Sequence, residues 1–286
     1  MRNPTICVLV LLLLTMSEAR AAPLQIVAAE NFYGDIARQI GGDNVAVASI
    51  LANPDQDPHE FEVSASTARA LADAAIVIYN GADYDAWATK LLSASTSSSR
   101  VTIAVAELLH KKPGDNPHIW YDTQAALLLA RTLADRLGAL DPAHKADYQR
   151  RLVDFEKSVT RLAEKVDELR RKYAGVPVTA TEPVFGYMAD ALALEMRNRR
   201  FQLATMNGTE PSAADIAAFE KDLRSKAVRV LIYNRQTGDE LTRRMREIAH
   251  QAGVPVVGVT ETEPNGKDYQ EWMRSQLDAL DRALAR

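Results

Sequence analysis

The sequence predicts an α/β protein of two lobes, each with a mainly parallel sheet, set on either side of one long helix. Three observations carry that prediction. Short apolar runs alternate with helix-like stretches from Leu24 to Val105. From Asp141-Pro142 to Tyr173 the chain then has no glycine and no internal proline, and its apolar residues keep a helical period. Strand–helix alternation resumes at Val176 and runs to Val259. Alternation of this kind builds βα units, whose strands pair in parallel.

The first segment lies outside the fold. Arg2 gives a positive start, Ile6 to Met16 is an apolar run of 11 residues, and Ala19-Arg20-Ala21 fits a small-x-small cleavage site. The run is too short for a membrane span, which needs about 20 residues. Residues 1–21 are therefore expected to be a cleaved signal peptide, with a short membrane anchor as the alternative. Cys7 is the single cysteine, and it lies near the start of the apolar run, whereas a lipid-attachment cysteine follows such a run. A mature chain without cysteine excludes a disulfide scaffold and thiolate chemistry.

The remaining elements follow in order. Leu24 to Ala29 reads as a buried strand, and a helix then runs to Gly41-Gly42. Val45 to Leu51 is a second strand. Ser64-Ala65-Ser66 opens a helix to about Ala72, and Ala75 to Tyr79 is a third strand stopped by Asn80-Gly81. Tyr84 to Leu92 is helical, Ser93 to Ser99 is a polar loop, and Val101 to Val105 is a fourth strand. Pro142 suits the first turn of the long helix. Its seam is Tyr148, Leu152, Phe155, Val159, Leu162, Val166, Leu169 and Tyr173, in alternating steps of four and three. At 1.5 Å per residue this helix is roughly 48 Å long. A coiled-coil dimerisation helix is the alternative. A connecting helix with its seam on the lobes is favoured because α/β patterning resumes straight after it, and a monomer is expected.

The second series has a strand at Val176 to Ala180, a short helix from Phe185 to Leu194, and a helix opened by Ser212-Ala213-Ala214-Asp215. A strand at Val228 to Tyr233, a helix from Gly238 to Gln251, a strand at Val254 to Val259 and a closing helix from Asp268 to Ala285 complete it. The domain expectation is an N-terminal lobe over 22–140, a connecting helix over 141–174 and a C-terminal lobe over 175–286. No internal repeat is visible in residue identity.

Composition narrows function by exclusion. With 47% hydrophobic and 25% charged residues the chain is an ordinary folded protein. Its net charge is −4, and removing Arg2, Glu18 and Arg20 makes it −5. No Lys/Arg block stands out, so nucleic acid is not an expected partner.

Among five histidines, two share a setting. His59 lies in Asp57-Pro58-His59-Glu60-Phe61-Glu62, and His118 in Asn116-Pro117-His118-Ile119-Trp120-Tyr121-Asp122. Each follows a strand through a proline-fixed loop and comes just before a helix. Loops beyond the carboxyl ends of parallel strands carry ligands, and proline limits their backbone freedom. His110 beside Lys111-Lys112, His144 in the first turn of the long helix and His250 at a helix end are read as solvated or capping groups. In the second half Glu182 and Glu261 sit at strand ends, with Glu263 as a competitor in the same loop. Two imidazoles and two carboxylates suit a divalent first-row metal. Asp122, Thr181 and Asn234 are candidates to orient the ligands.

At these residues the sequence resembles the zinc/manganese solute-binding proteins of ABC importers, the cluster A-I group. The two Pro-His motifs, Glu182-Pro183-Val184-Phe185-Gly186-Tyr187, Glu210-Pro211-Ser212 and the Thr260-Glu261 strand ending carry the resemblance, which covers essentially the whole mature chain. It implies two lobes joined by one long rigid helix, with the metal in the cleft between them. His59 and His118 match the two histidine ligands and Glu182 the third. Glu261 stands where the family usually has aspartate. It implies a periplasmic protein that captures manganese or zinc and delivers it to a membrane permease, and not an enzyme. Glu182 in place of histidine leans towards manganese, or iron, while the Irving–Williams order still favours zinc. A secreted metalloenzyme and an organic-solute binder of the same architecture are the alternatives. Against the former, His59-Glu60 lacks the second histidine of H-E-x-x-H, and no G-x-S-x-G occurs.

Overall fold

The computed structural model describes residues 22–54 and 57–286. The expected signal segment, with Cys7, lies outside the described residues. Lobe one runs β1 (Leu24–Glu30), α1 (Asn31–Gly41), β2 (Val45–Leu51), α2 (Ala65–Asp73), β3 (Ile76–Tyr79), α3 (Ala86–Ala94), β4 (Val101–Ala104), α4 (Val105–Leu108) and α5 (Thr123–Leu140). Its strands pair in parallel in the order β2-β1-β3-β4. β1 reads as a continuous apolar run because it is an inner strand, buried from Ile26 onwards. Ser64 caps α2 by accepting the Thr67 N–H, and Asp122 caps α5 by accepting the Gln124 N–H. Caps of this kind stabilise a helix by ~1 kcal/mol each.

The long helix, α6 (Lys145–Tyr173), has 29 residues and is roughly 44 Å long. It is slightly shorter than expected, because Pro142–His144 forms a separate 3-10 turn. There the Asp141 carboxylate receives His144 Nδ1 at 2.6 Å and the Tyr148 hydroxyl at 2.7 Å. Tyr148 to Leu169 of the seam are buried, and Tyr173 is half-buried with its hydroxyl on Asp281. The seam is covered by α5, α1 and the closing helix of the same chain. None of it is left for a coiled-coil partner.

Lobe two runs β5 (Pro177–Ala180), α7 (Gly186–Ala191), β6 (Glu195–Arg197), α8 (Arg199–Met206), α9 (Ala213–Arg224), β7 (Leu231–Asn234), α10 (Glu240–Ala252), β8 (Val256–Val259) and α11 (Tyr269–Leu284). Its order is β6-β5-β7-β8, again all parallel. The brief β6, the helix α8 and the short α4 have no counterpart in the sequence reading. Three or four residues are too few to register a period, and α8 starts from Asn198 in the left-handed region at φ 59°.

The two orders are the same scheme, so strands can be matched one to one. The match reveals a repeat that residue identity alone hides. Ala28-Ala29-Glu30 and Gly34 correspond to Ala180-Thr181-Glu182 and Gly186, and Ile78-Tyr79-Asn80 corresponds to Ile232-Tyr233-Asn234. In each lobe the chain leaves the first strand in opposite directions, which opens a crevice at the carboxyl ends of β1/β3 and of β5/β7. The two crevices face one cleft. Buried residues of both lobes and α6 form one continuous cluster. Polar links cross it: the Tyr121 hydroxyl lies 2.8 Å from both Thr260 O and Gln276 Oε1, and the Tyr269 hydroxyl donates to Trp120 O at 2.8 Å.

Candidate metal centre

Glu261 is the centre of the cleft. It follows β8, is fully buried, and its Oε2 lies 3.6 Å from His59 Nε2 and 3.5 Å from His118 Nε2. Among the described residues these three form a group whose donor atoms all lie within 4.8 Å of one another. Two lobe-one loops thus deliver imidazoles to a lobe-two carboxylate.

Each imidazole is held before any ion arrives. His59 sits in the 3-10 turn Pro58–Glu60, where Pro58 fixes the first position and Asp57 Oδ1 accepts the His59 N–H at 2.9 Å. Its side chain is 43% exposed, so it forms the cleft's rim. His118 is 1% exposed. Its Nδ1 lies 2.6 Å from Asn116 Oδ1, while the Asn116 amide nitrogen donates to Pro183 O at 2.8 Å. The oxygen can only accept, so Nδ1 carries a proton and Nε2 is the nitrogen turned to the cleft. That Nε2 is buried without a hydrogen-bond partner, a donor set waiting for a ligand. Gly186 permits this arrangement, since a Cβ there would stand 2.9 Å from Asn116 Nδ2.

Asn234 organises the carboxylates. Its Oδ1 accepts the Gln236 N–H at 3.0 Å, which turns its amide nitrogen towards Glu261 Oε1 at 2.5 Å and Glu182 Oε2 at 3.2 Å. Gln236 Oε1 accepts the Glu261 N–H at 2.6 Å, and the Tyr84 hydroxyl donates to Glu261 Oε2 at 2.9 Å. Burial alone pushes the Glu261 carboxyl up, but His118, His59 and Tyr84 outweigh it and hold the group below the ordinary glutamate range. Glu182 has burial and the Glu261 charge against it, and is pushed up to about 7. Glu261 is therefore a standing anion, and Glu182 is poised to lose its proton when a cation enters.

The four expected ligands do not stand alike. His59, His118 and Glu261 are brought together, while Glu182 stands outside that group, across the Asn234 amide. Glu263 faces the other way, into a pocket of about 420 Å³ with Asp35, Arg38 and Ser49, where burial and then Asp35 push its carboxyl up to about 9. Of the proposed orienting residues, Asn234 bears on the site. Asp122 caps α5 instead, and Thr181 Oγ1 is buried without a partner. His110, His144 and His250 lie outside the donor group. Tyr84, Asn116 and Gln236 were not foreseen as supports. Asn116 stands inside the Asn-Pro-His motif, and the Asn80/Asn234 repeat marks the strand ends, but Tyr84 gave no local signal.

Fold and donor set together define a class: a two-lobed α/β protein whose interlobe cleft gathers imidazole and carboxylate groups suited to a divalent cation. A family model described as ZnuA, zinc-uptake complex component A periplasmic, matches residues 26–283, and the chain belongs to that family. It is similar to the manganese ABC transporter substrate-binding lipoprotein PsaA of Streptococcus anginosus, 24% identical and covering 92% of this chain and 90% of that one. The metal ABC transporter substrate-binding lipoprotein SsaB of Streptococcus sanguinis is also 24% identical, covering 93% and 91%. Among solved structures, the periplasmic zinc binding protein TroA from Treponema pallidum matches with a TM-score of 0.77 at 18% identity, covering 93% of this chain and all of that one. That likeness establishes the two-lobed fold.

Proposed function

We propose that this protein captures a divalent transition-metal ion outside the cytoplasm, as manganese or zinc, and delivers it to the permease of an ABC importer. The observation that carries the reading is the junction of His59 Nε2, His118 Nε2 and Glu261 at one point of the cleft. In it Glu261 supplies charge, the imidazoles supply neutral nitrogen, and Glu182 becomes the fourth ligand by moving past the Asn234 amide. The ion is cargo, and the protein acts by binding and release rather than by turnover. Four protein donors leave little coordination space for a reacting substrate. With the α6 seam used within the chain, the unit of function is the monomer. Residues 1–21 serve as the export signal.

Two carboxylates favour manganese on ligand type, and two imidazoles favour zinc. Elemental analysis of protein purified without added metal, followed by manganese/zinc competition, tests the reading. Roughly one divalent ion per chain is expected. Glu182→His shifts the competition towards zinc. If neither protein retains any divalent ion, the reading is wrong.

A further inference from the structure

One face of α1 carries polar side chains at Asn31, Asp35 and Gln39, a spacing of four that aligns them along the helix. All three reach lobe two. The Asn31 amide nitrogen donates to Glu263 O at 2.7 Å, and its Oδ1 accepts the Glu263 N–H at 3.0 Å. Asp35 Oδ2 accepts the Tyr269 N–H at 3.0 Å. Gln39 exchanges amide hydrogen bonds with Gln270 at 2.9 and 3.0 Å. Asn31 is buried, and its paired bonds satisfy both the N–H and the C=O of Glu263, the main-chain groups on either side of one Cα. Glu263 lies two residues beyond Glu261.

The arrangement occurs twice. Matching the strands of the two lobes sets Asn31 against Pro183 and Asp35 against Tyr187. Pro183 O accepts from Asn116 Nδ2 at 2.8 Å, and the Tyr187 hydroxyl donates to Asn116 O at 2.8 Å. In each lobe, then, the first residue after the strand-end glutamate holds a loop of the opposite lobe; the residue four further on holds the same loop in lobe two and the start of α11 in lobe one. The loop held by lobe two follows α4 and carries His118. The loop held by lobe one follows β8 and carries Glu261.

We propose that Asn31 is a positioning residue for the cleft: from lobe one it brackets the main chain of the lobe-two loop that carries Glu261, and so sets how long a divalent cation is retained. The inference rests on Glu261 acting as a ligand. Asn31 touches no donor atom of the site, so it acts through the loop backbone. An asparagine suits the task because one side chain must both donate and accept. An aspartate of the same shape would accept from the Glu263 N–H but set a second oxygen against the Glu263 carbonyl.

The test uses the mature chain loaded with Zn2+, with dissociation followed by transfer to a chelating dye. Losing both hydrogen bonds to the Glu263 main chain should speed release about tenfold in Asn31→Ala, and the oxygen set against the Glu263 carbonyl should speed it at least as much in the isosteric Asn31→Asp. Gln39→Ala, on the same stripe but on α11 rather than the loop, should change it by no more than about twofold. Amide hydrogen exchange of the metal-free proteins gives a readout independent of the ion. The Glu263 amide should lose protection in Asn31→Ala, which removes its acceptor, and keep it in Asn31→Asp and Gln39→Ala. Unchanged release in Asn31→Ala, with the parent chain binding normally, would overturn the positioning role alone. Equal acceleration by Gln39→Ala would also overturn it, by assigning the effect to general loosening between lobes. A parent chain that binds no Zn2+ would overturn the ligand reading itself, and the coupling with it.

Discussion

Glu30 and Glu182 occupy matched positions at the ends of β1 and β5, yet their chemistry differs. Glu30 is fully buried and both its carboxyl oxygens lack a hydrogen-bond acceptor contact from any donor. Burial and then the neighbouring Asp85 push it well above the ordinary glutamate range. Asp85 is tied down by the Asn80 and Gly81 N–H groups at 2.5 and 2.9 Å. Glu30 is thus a buried, structural acid whose surroundings favour its neutral form. Glu182, pushed only to about 7 and placed beside Asn234 in the cleft, retains access to its charged form. One framework serves two purposes: lobe one spends its strand-end polar groups on fixing loops that present histidines, and lobe two presents carboxylates directly. Asn80 shows the same division. It accepts from the Tyr33 hydroxyl and donates to Pro117 O, beside His118, whereas its counterpart Asn234 touches the carboxylates themselves.

The largest expected effect separates ligand from framework. Glu261→Ala should lower Zn2+ or Mn2+ affinity by more than about 100-fold, beyond what loss of a supporting residue costs. Glu30→Gln, which keeps a neutral group of the same shape, should leave affinity within about threefold, because no ligand-supporting bond of the kind that carries 10–100-fold is removed. Calorimetric titration of both variants checks this, and equal losses would erase the distinction between the lobes. Next comes Asn116→Ala. Without Oδ1 the His118 ring loses its fixed tautomer, and affinity should fall about 10–100-fold while the fold remains.

Acidification should weaken binding and strengthen the metal-free fold through the same group. Protons compete with the ion for Glu182, so affinity falls as pH drops through about 7. For stability the sign reverses. The folded chain holds the Glu182 proton up to about 7, whereas the unfolded chain releases it near the ordinary value of 4.5. This contribution is therefore full below 4.5 and is lost as pH rises through about 7. Paired titrations and metal-free melts at pH 5 and 8, on the parent chain and Glu182→Gln, measure both trends, and the variant should flatten each. The smallest expected effect is on shape. The buried α6 seam and the interlobe hydrogen bonds predict no resolvable change in radius of gyration by small-angle scattering when metal is added. A large hinge closure would contradict a rigid connecting helix.

Much of this was legible in the sequence, for identifiable reasons. The long helix declared itself through its period, and β1 and β3 through apolar runs that buried parallel strands require. His59 and His118 were legible because proline-locked loops follow strand ends. Glu261 and Glu263 could not be separated, since the choice depends on α1 drawing residue 263 away through Asn31, a contact 232 residues distant in sequence. Tyr84 reaches Glu261 across 177 residues and was invisible for the same reason. The lobe repeat stayed hidden until strand order aligned two chains of βα units that share few identities.

Anomalous diffraction from crystals loaded in turn with Mn2+ and Zn2+ tests the central claim most directly. One peak is predicted at the lobe junction, within bonding distance of His59 Nε2, His118 Nε2 and a Glu261 oxygen, with Glu182 drawn in. A peak elsewhere, or none at that junction, would contradict it.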